Sequence, residues 1–107
     1  MTGSDDASWH AIGPSADLAV GDKRELSLTD GRLVLVMRTV EGVHACGADC
    51  PHQDTPLAEG SLDGTVLTCP MHYWQWDVRT GDAMGIAELP LTMFQVRETE
   101  GRLEILA

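Results

Sequence analysis

The chain has 107 residues, 17 acidic and 7 basic, giving a formal charge of −10 at neutral pH. That length suits a single domain, 1–107, with an ordinary 43% of hydrophobic residues to build a core. The charge argues against nucleic acid, whose phosphates would repel this surface, and suits docking on a partner that carries a basic patch.

No run approaches the ~20 apolar residues that span a bilayer. The polar, acidic start "MTGSDDASWH" lacks the basic and apolar parts of a signal peptide. The expectation is a soluble cytoplasmic monomer with no membrane partner. Three cysteines cannot close a disulfide framework, and a cytosolic chain would keep them reduced. They are read as ligands, nucleophiles or buried apolar residues.

In chain order, residues 1–8 read as a loose polar end. "RELSL" (24–28) alternates and is followed by the turn "TDG". "RLVLVMRTV" (32–40) is a strong strand, turned by "EG" into "VHAC". "GTVLTC" (64–69) follows a "DG" turn, and "WQWDVRTG" starts as a strand and ends in a Thr-Gly turn. "LTMFQV" (91–96) and "RLEIL" (102–106), joined across "ETEG", read as a final hairpin. Eleven glycines and five prolines interrupt any helical period. The fold class is therefore all-β, a small sandwich or barrel.

Two short loops carry the chemistry: "CPH" at Cys50–His52 and "CPMH" at Cys69–His72, with sixteen residues between His52 and Cys69. In each, proline follows the cysteine and biases it to an extended conformation. A gap of one or two residues lets the cysteine and histidine of one loop turn toward a common point. Four ligand-type residues in two matched loops point to a metal centre, either zinc or iron–sulfur. Zinc fingers usually group cysteines together and histidines together, whereas each loop here holds one of each. A zinc-stabilised binding module stays as the rival class.

At these residues the sequence resembles the Rieske ferredoxins. The likeness extends through "LAEGSLDGTVLTCP", "WDVRTGDA", "ELPLTMFQV" and "RLEIL", so it covers nearly the whole chain. The resemblance implies a [2Fe–2S] cluster with Cys50 and Cys69 on one iron and His52 and His72 on the other. It implies a β-sandwich or barrel base carrying a cluster-binding subdomain at about 46–84. It implies an electron carrier rather than an enzyme, with a potential well above the about −400 mV of plant-type clusters.

The departures narrow the subfamily. Rieske proteins of respiratory complexes carry an extra, disulfide-joined cysteine in each loop, where this chain has Thr55 and Met71. Dioxygenase ferredoxins usually place small residues after the second histidine, where this chain has Tyr73 and Trp74. That resembles the ferredoxins of diiron monooxygenases that oxidise toluene, alkenes or isoprene. The partners so implied are a flavin-containing NADH reductase and a diiron hydroxylase. A dioxygenase ferredoxin and a small nitrite-reductase subunit are the alternatives.

Three of the five aromatic residues, Tyr73, Trp74 and Trp76, cluster behind the second loop. Trp76 shares a strand face with Trp74 and Val78 and reads as core. Tyr73 points to the other face and is expected to be exposed. Trp74 either shields the cluster or also forms part of a docking surface, the second being the preferred reading. Pro90 resembles the family's proline loop that covers the cluster. Cys46 reads as a buried apolar residue, His10 and His44 as surface or satisfied strand residues, and Asp54, Glu59 and Asp63 as a solvated loop.

Overall fold

The apolar run of the third strand explains the architecture. In a computed structural model that describes residues 8–28, 30–51, 55–71 and 73–107, Val34, Leu35, Val36 and Met37 are all buried. A strand buried on both faces shows a continuous apolar run instead of alternation. Here the two faces serve two cores. Leu35 and Met37 join one cluster, and Val34 and Val36 join the other. The neighbouring strand divides in the same way, with Cys46 in the first cluster and Ala45 in the second.

Among the described residues, ten strands form two sheets: β1 Trp9–Pro14, β2 Lys23–Ser27, β3 Leu33–Thr39, β4 Gly42–Gly47, β5 Ser61–Asp63, β6 Val66–Thr68, β7 Gln75–Asp77, β8 Asp82–Met84, β9 Met93–Thr99 and β10 Arg102–Leu106. The larger sheet has the order β1-β10-β9-β4-β3-β2, and the smaller has β5-β6-β7-β8. Every paired strand is antiparallel. The all-β class is as the sequence led us to expect, and the described helical turns are short 3₁₀ pieces at Ser15–Asp17 and Leu57–Glu59.

Strands β4 and β9 pair through Ala45–Phe94 and Cys46–Met93. The residues between them leave the large sheet, build the small one and return. That excursion packs Leu57, Leu67, Trp76, Val78 and Leu91 against Leu35, Met37 and Cys46. The other cluster, with Leu103 and Ile105 from β10, fills the curl of the large sheet. The final hairpin turns through Glu100 and Gly101, both at positive φ (52° and 79°), as a two-residue turn between right-twisted strands requires.

The expected strands differ from the observed ones mainly at their ends. β2 begins one residue earlier and stops before Leu28, and β6 is confined to three residues. Strands β1, β5 and β8 had no counterpart in the sequence reading. The expected loose end falls on residues 1–7, outside the described residues, and on exposed Ser8.

Candidate metal centre

Both cysteine loops are closed by the same backbone device. The Cys50 N–H donates to the Thr55 carbonyl at 2.9 Å, and the Cys69 N–H donates to the Trp74 carbonyl at 2.8 Å. Each cysteine is thus bonded to the residue five positions on, and each loop's histidine falls inside that span. Below the first loop, Leu57 N–H reaches the Ala48 carbonyl at 2.8 Å and Asp49 bridges to Pro56. In the second, Tyr73 N–H also reaches the Cys69 carbonyl at 3.2 Å. The expected ligands His52 and His72, with Asp54, lie outside the described residues.

The two cysteines share one environment. Cys50 and Cys69 are both buried and belong to the same apolar cluster as Leu57, Leu67, Trp74 and Trp76. Two thiols at the necks of two like loops, walled by apolar side chains, suit thiolate-held iron and shelter it from water. The donor chemistry fits an iron–sulfur group.

The aromatic residues divide by burial. Trp74 is 7% exposed and Trp76 is fully buried; their rings meet edge-to-face, 6.2 Å between centroids at 64°. The Trp76 indole N–H donates to the Leu89 carbonyl at 2.8 Å, tying this core to the segment that holds exposed Pro90. The sequence leaves Trp74 as a cover of the cluster that also forms part of a docking surface. The structure packs its ring into one apolar cluster with Trp76 and Val78, which suits the covering role. Tyr73 is the exposed aromatic, at 71%. Its φ of +58° lies in the left-handed region, which costs a residue with a side chain roughly 1–2 kcal/mol.

The remaining candidates have structural roles. Cys46 is fully buried on β4, and burial pushes its thiol up to about 12. His44 shares a 2.8 Å hydrogen bond with Thr39 Oγ1; desolvation holds its ring below the ordinary histidine value, against the opposing pull of Asp77. His10 Nε2 lies 3.3 Å from the Ala107 carbonyl. Glu59 and Asp63 are exposed. The sequence reading overlooked exposed Ile86 and Leu89 beside Pro90. Their placement between Gly85 and Pro90, as apolar residues in a turn, was the available signal.

Comparison with known proteins decides among the metal chemistries. The sequence pattern of the Rieske [2Fe-2S] domain matches residues 8–95. The chain belongs to the Rieske [2Fe-2S] domain family. Its cofactor is a Rieske-type [2Fe–2S] cluster. The chain is 33% identical over 97 residues to the ferredoxin subunit of methanesulfonate monooxygenase from Methylosulfonomonas methylovora, covering 90% of this chain and 78% of that one. It is 38% identical over 74 residues to the ferredoxin component of the alkene monooxygenase system of Xanthobacter autotrophicus, covering 67% of this chain and 60% of that one. Among solved structures, it matches a chain of the complex of reduced oxygenase and oxidized ferredoxin in carbazole 1,9a-dioxygenase. The TM-score is 0.85 at 28% identity, over 92% of each chain. Among the described residues, no helix is long and apolar enough to cross a membrane.

Proposed function

We propose that this Rieske protein is a one-electron ferredoxin for a multicomponent diiron monooxygenase acting on hydrocarbons. In this reading it takes electrons from a flavin-containing NADH reductase and delivers them to the hydroxylase. The observation that carries it is the pair of like loops with buried cysteine necks in a chain matched to named monooxygenase ferredoxins. The diiron assignment rests on the bulky Tyr73-Trp74 pair that follows the second histidine.

Cys50 and Cys69 hold one iron through their thiolates, and His52 and His72 hold the other. The cluster-binding unit is about residues 46–84, with Pro90 in the adjoining cover. When bound, the cluster supplies reversible one-electron exchange. The chain's task is to hold the thiolates dry and rigid. The N–H groups of Cys50 and Cys69 are already committed to closing their loops, so any N–H donors that tune the sulfurs come from other residues.

A second reading, a dioxygenase ferredoxin, is favoured by the carbazole dioxygenase match. The test mixes chemically reduced protein with a diiron hydroxylase and, separately, with a ring-hydroxylating oxygenase, following the cluster's visible bands. Fast oxidation by the first alone supports the proposal; fast oxidation by the second alone replaces it with the dioxygenase reading. A colourless protein containing zinc would remove both. For the ligands, His52→Cys or His72→Cys should alter or abolish the Rieske EPR signal, and an unchanged signal and potential would overturn the assignment.

A further inference from the structure

One row of residues crosses the small sheet: Ser61 pairs with Thr68, Thr68 with Gln75, and Gln75 with Met84. The start of β5, the end of β6, the start of β7 and the end of β8 therefore coincide. Three segments, 48–60, 69–74 and 85–90, accordingly leave the sheet from the same end. These are the two cysteine loops and the turn tied to Trp76 through Leu89.

At that end the structure exposes apolar side chains that no core claims. Met71, Tyr73, Ile86 and Leu89 are all exposed, Ile86 at 67%. Their neighbour Ala87 tucks into the core cluster, and its N–H closes a turn onto the Met84 carbonyl at 3.1 Å. The outward residues are thus carried on anchored backbone. The three segments contain no lysine or arginine, while Asp49, Glu59 and Glu88 are exposed. The described cation reaching this region is Lys23, whose ammonium bonds the Ala58 carbonyl at 2.6 Å.

Tyr73 is the telling residue. Its backbone conformation favours glycine, and the second loop is closed by main-chain bonds that glycine could make equally well. Its exposed phenol adds little to packing. A strained residue that contributes little to the fold marks a surface used for something else.

We propose that Tyr73, with Met71, Ile86 and Leu89, forms the apolar centre of the face that docks on the oxygenase component. The complementary face is an apolar seat rimmed by lysine and arginine, matching the acidic rim here. This rests on the ferredoxin reading above. It goes further by naming the contact residue and the chemistry of the partner's face.

The experiment uses the full chain with its cluster and the purified oxygenase component of its own system. Tyr73→Gly should raise the denaturation midpoint, because strain is relieved, and leave the visible spectrum and potential unchanged. The second-order rate of electron transfer to the oxygenase should fall about tenfold, as for an aromatic at an interface centre. Tyr73→Phe should restore it, and Ile86→Ser should lower it independently. A Tyr73→Gly protein that transfers as fast as wild type overturns the docking face, as does one whose loss is confined to the reductase step. A lower midpoint or lost cluster overturns the strain argument, and unchanged transfer by Ile86→Ser then overturns the face itself. If wild type reduces no oxygenase component, the ferredoxin reading falls first and the docking face with it.

Discussion

The indole N–H of Trp76 and the carbonyl oxygen of Leu89 are joined by a 2.8 Å hydrogen bond. One partner is fully buried and the other lies in an exposed turn, so the bond fixes the 85–90 segment beside the cysteine loops. Trp76→Phe would keep much of the apolar volume and orphan the carbonyl. The expected cost is about 1–3 kcal/mol, with faster amide exchange in 85–90. Trp76→Ala should cost about 3–5 kcal/mol through the cavity it leaves. Denaturant titrations of the two variants check the order, and equal stabilities would contradict a role for the N–H.

Gly60 supports the second loop from the first. A Cβ there would lie 2.0 Å from the Thr68 carbonyl oxygen, and a backbone oxygen cannot swing aside. Its φ of −80° is ordinary, so the constraint is space alone. Gly60→Ala should destabilise by about 1–3 kcal/mol. It should also lower iron content, because Thr68 directly precedes Cys69. Gly47→Ala is the control, since nothing lies within 4 Å of the added carbon. Iron and protein assays on the two variants give the comparison; equal iron in both would count against the mechanism.

Burial raises the Cys46 thiol from 9.0 to about 12, and this gives stability a pH dependence. The folded chain keeps the proton while the unfolded chain releases it near the ordinary value. The contribution is therefore intact below pH 9 and declines as pH climbs toward 12. Cys46→Ala should be less stable than wild type at pH 7 and should close that gap above pH 9. Cys50 and Cys69 are common to both proteins and cancel in the difference. A gap constant from pH 7 to 11 would show that the thiol is not held protonated. The visible spectrum of the cluster should be the same in both.

The run "LVLVM" disclosed β3 because burial on both faces removes the polar half of the alternation, and the terminal hairpin was equally plain. The paired "CPH" and "CPMH" loops were legible because proline and ligand spacing are local properties. Strands β5 and β8 were not, since "SLD" and "DAM" are three residues long and mostly exposed, leaving no pattern to read. The bonds from Cys50 to Thr55 and from Cys69 to Trp74 were also invisible, because main-chain pairing leaves no mark in side-chain identity. Trp74 could be read in two ways for a different reason. Strand parity groups it with Trp76 and Val78, while its place two residues after His72 sets it beside a surface loop.

The burial of Trp74 sets what its replacement should do. The ring packs edge-to-face on Trp76, an arrangement worth about 0.5–1.5 kcal/mol beyond the buried area. The backbone carbonyl of the same residue closes the loop at Cys69. Trp74→Ala should therefore open a cavity beside a cysteine neck, cost about 3–5 kcal/mol and admit water to the cluster. Bleaching should quicken, iron content should fall, and the potential should shift. Trp74→Phe should recover most of the iron, since it refills the cavity. Transfer to the oxygenase, expressed per intact cluster, should stay near wild type in both variants, because a ring only 7% exposed offers a partner little to touch. Stopped-flow transfer rates normalised to cluster absorbance decide the matter. Should they drop while iron content and potential hold, Trp74 is acting at the surface after all, and its role as a cluster shield must be abandoned.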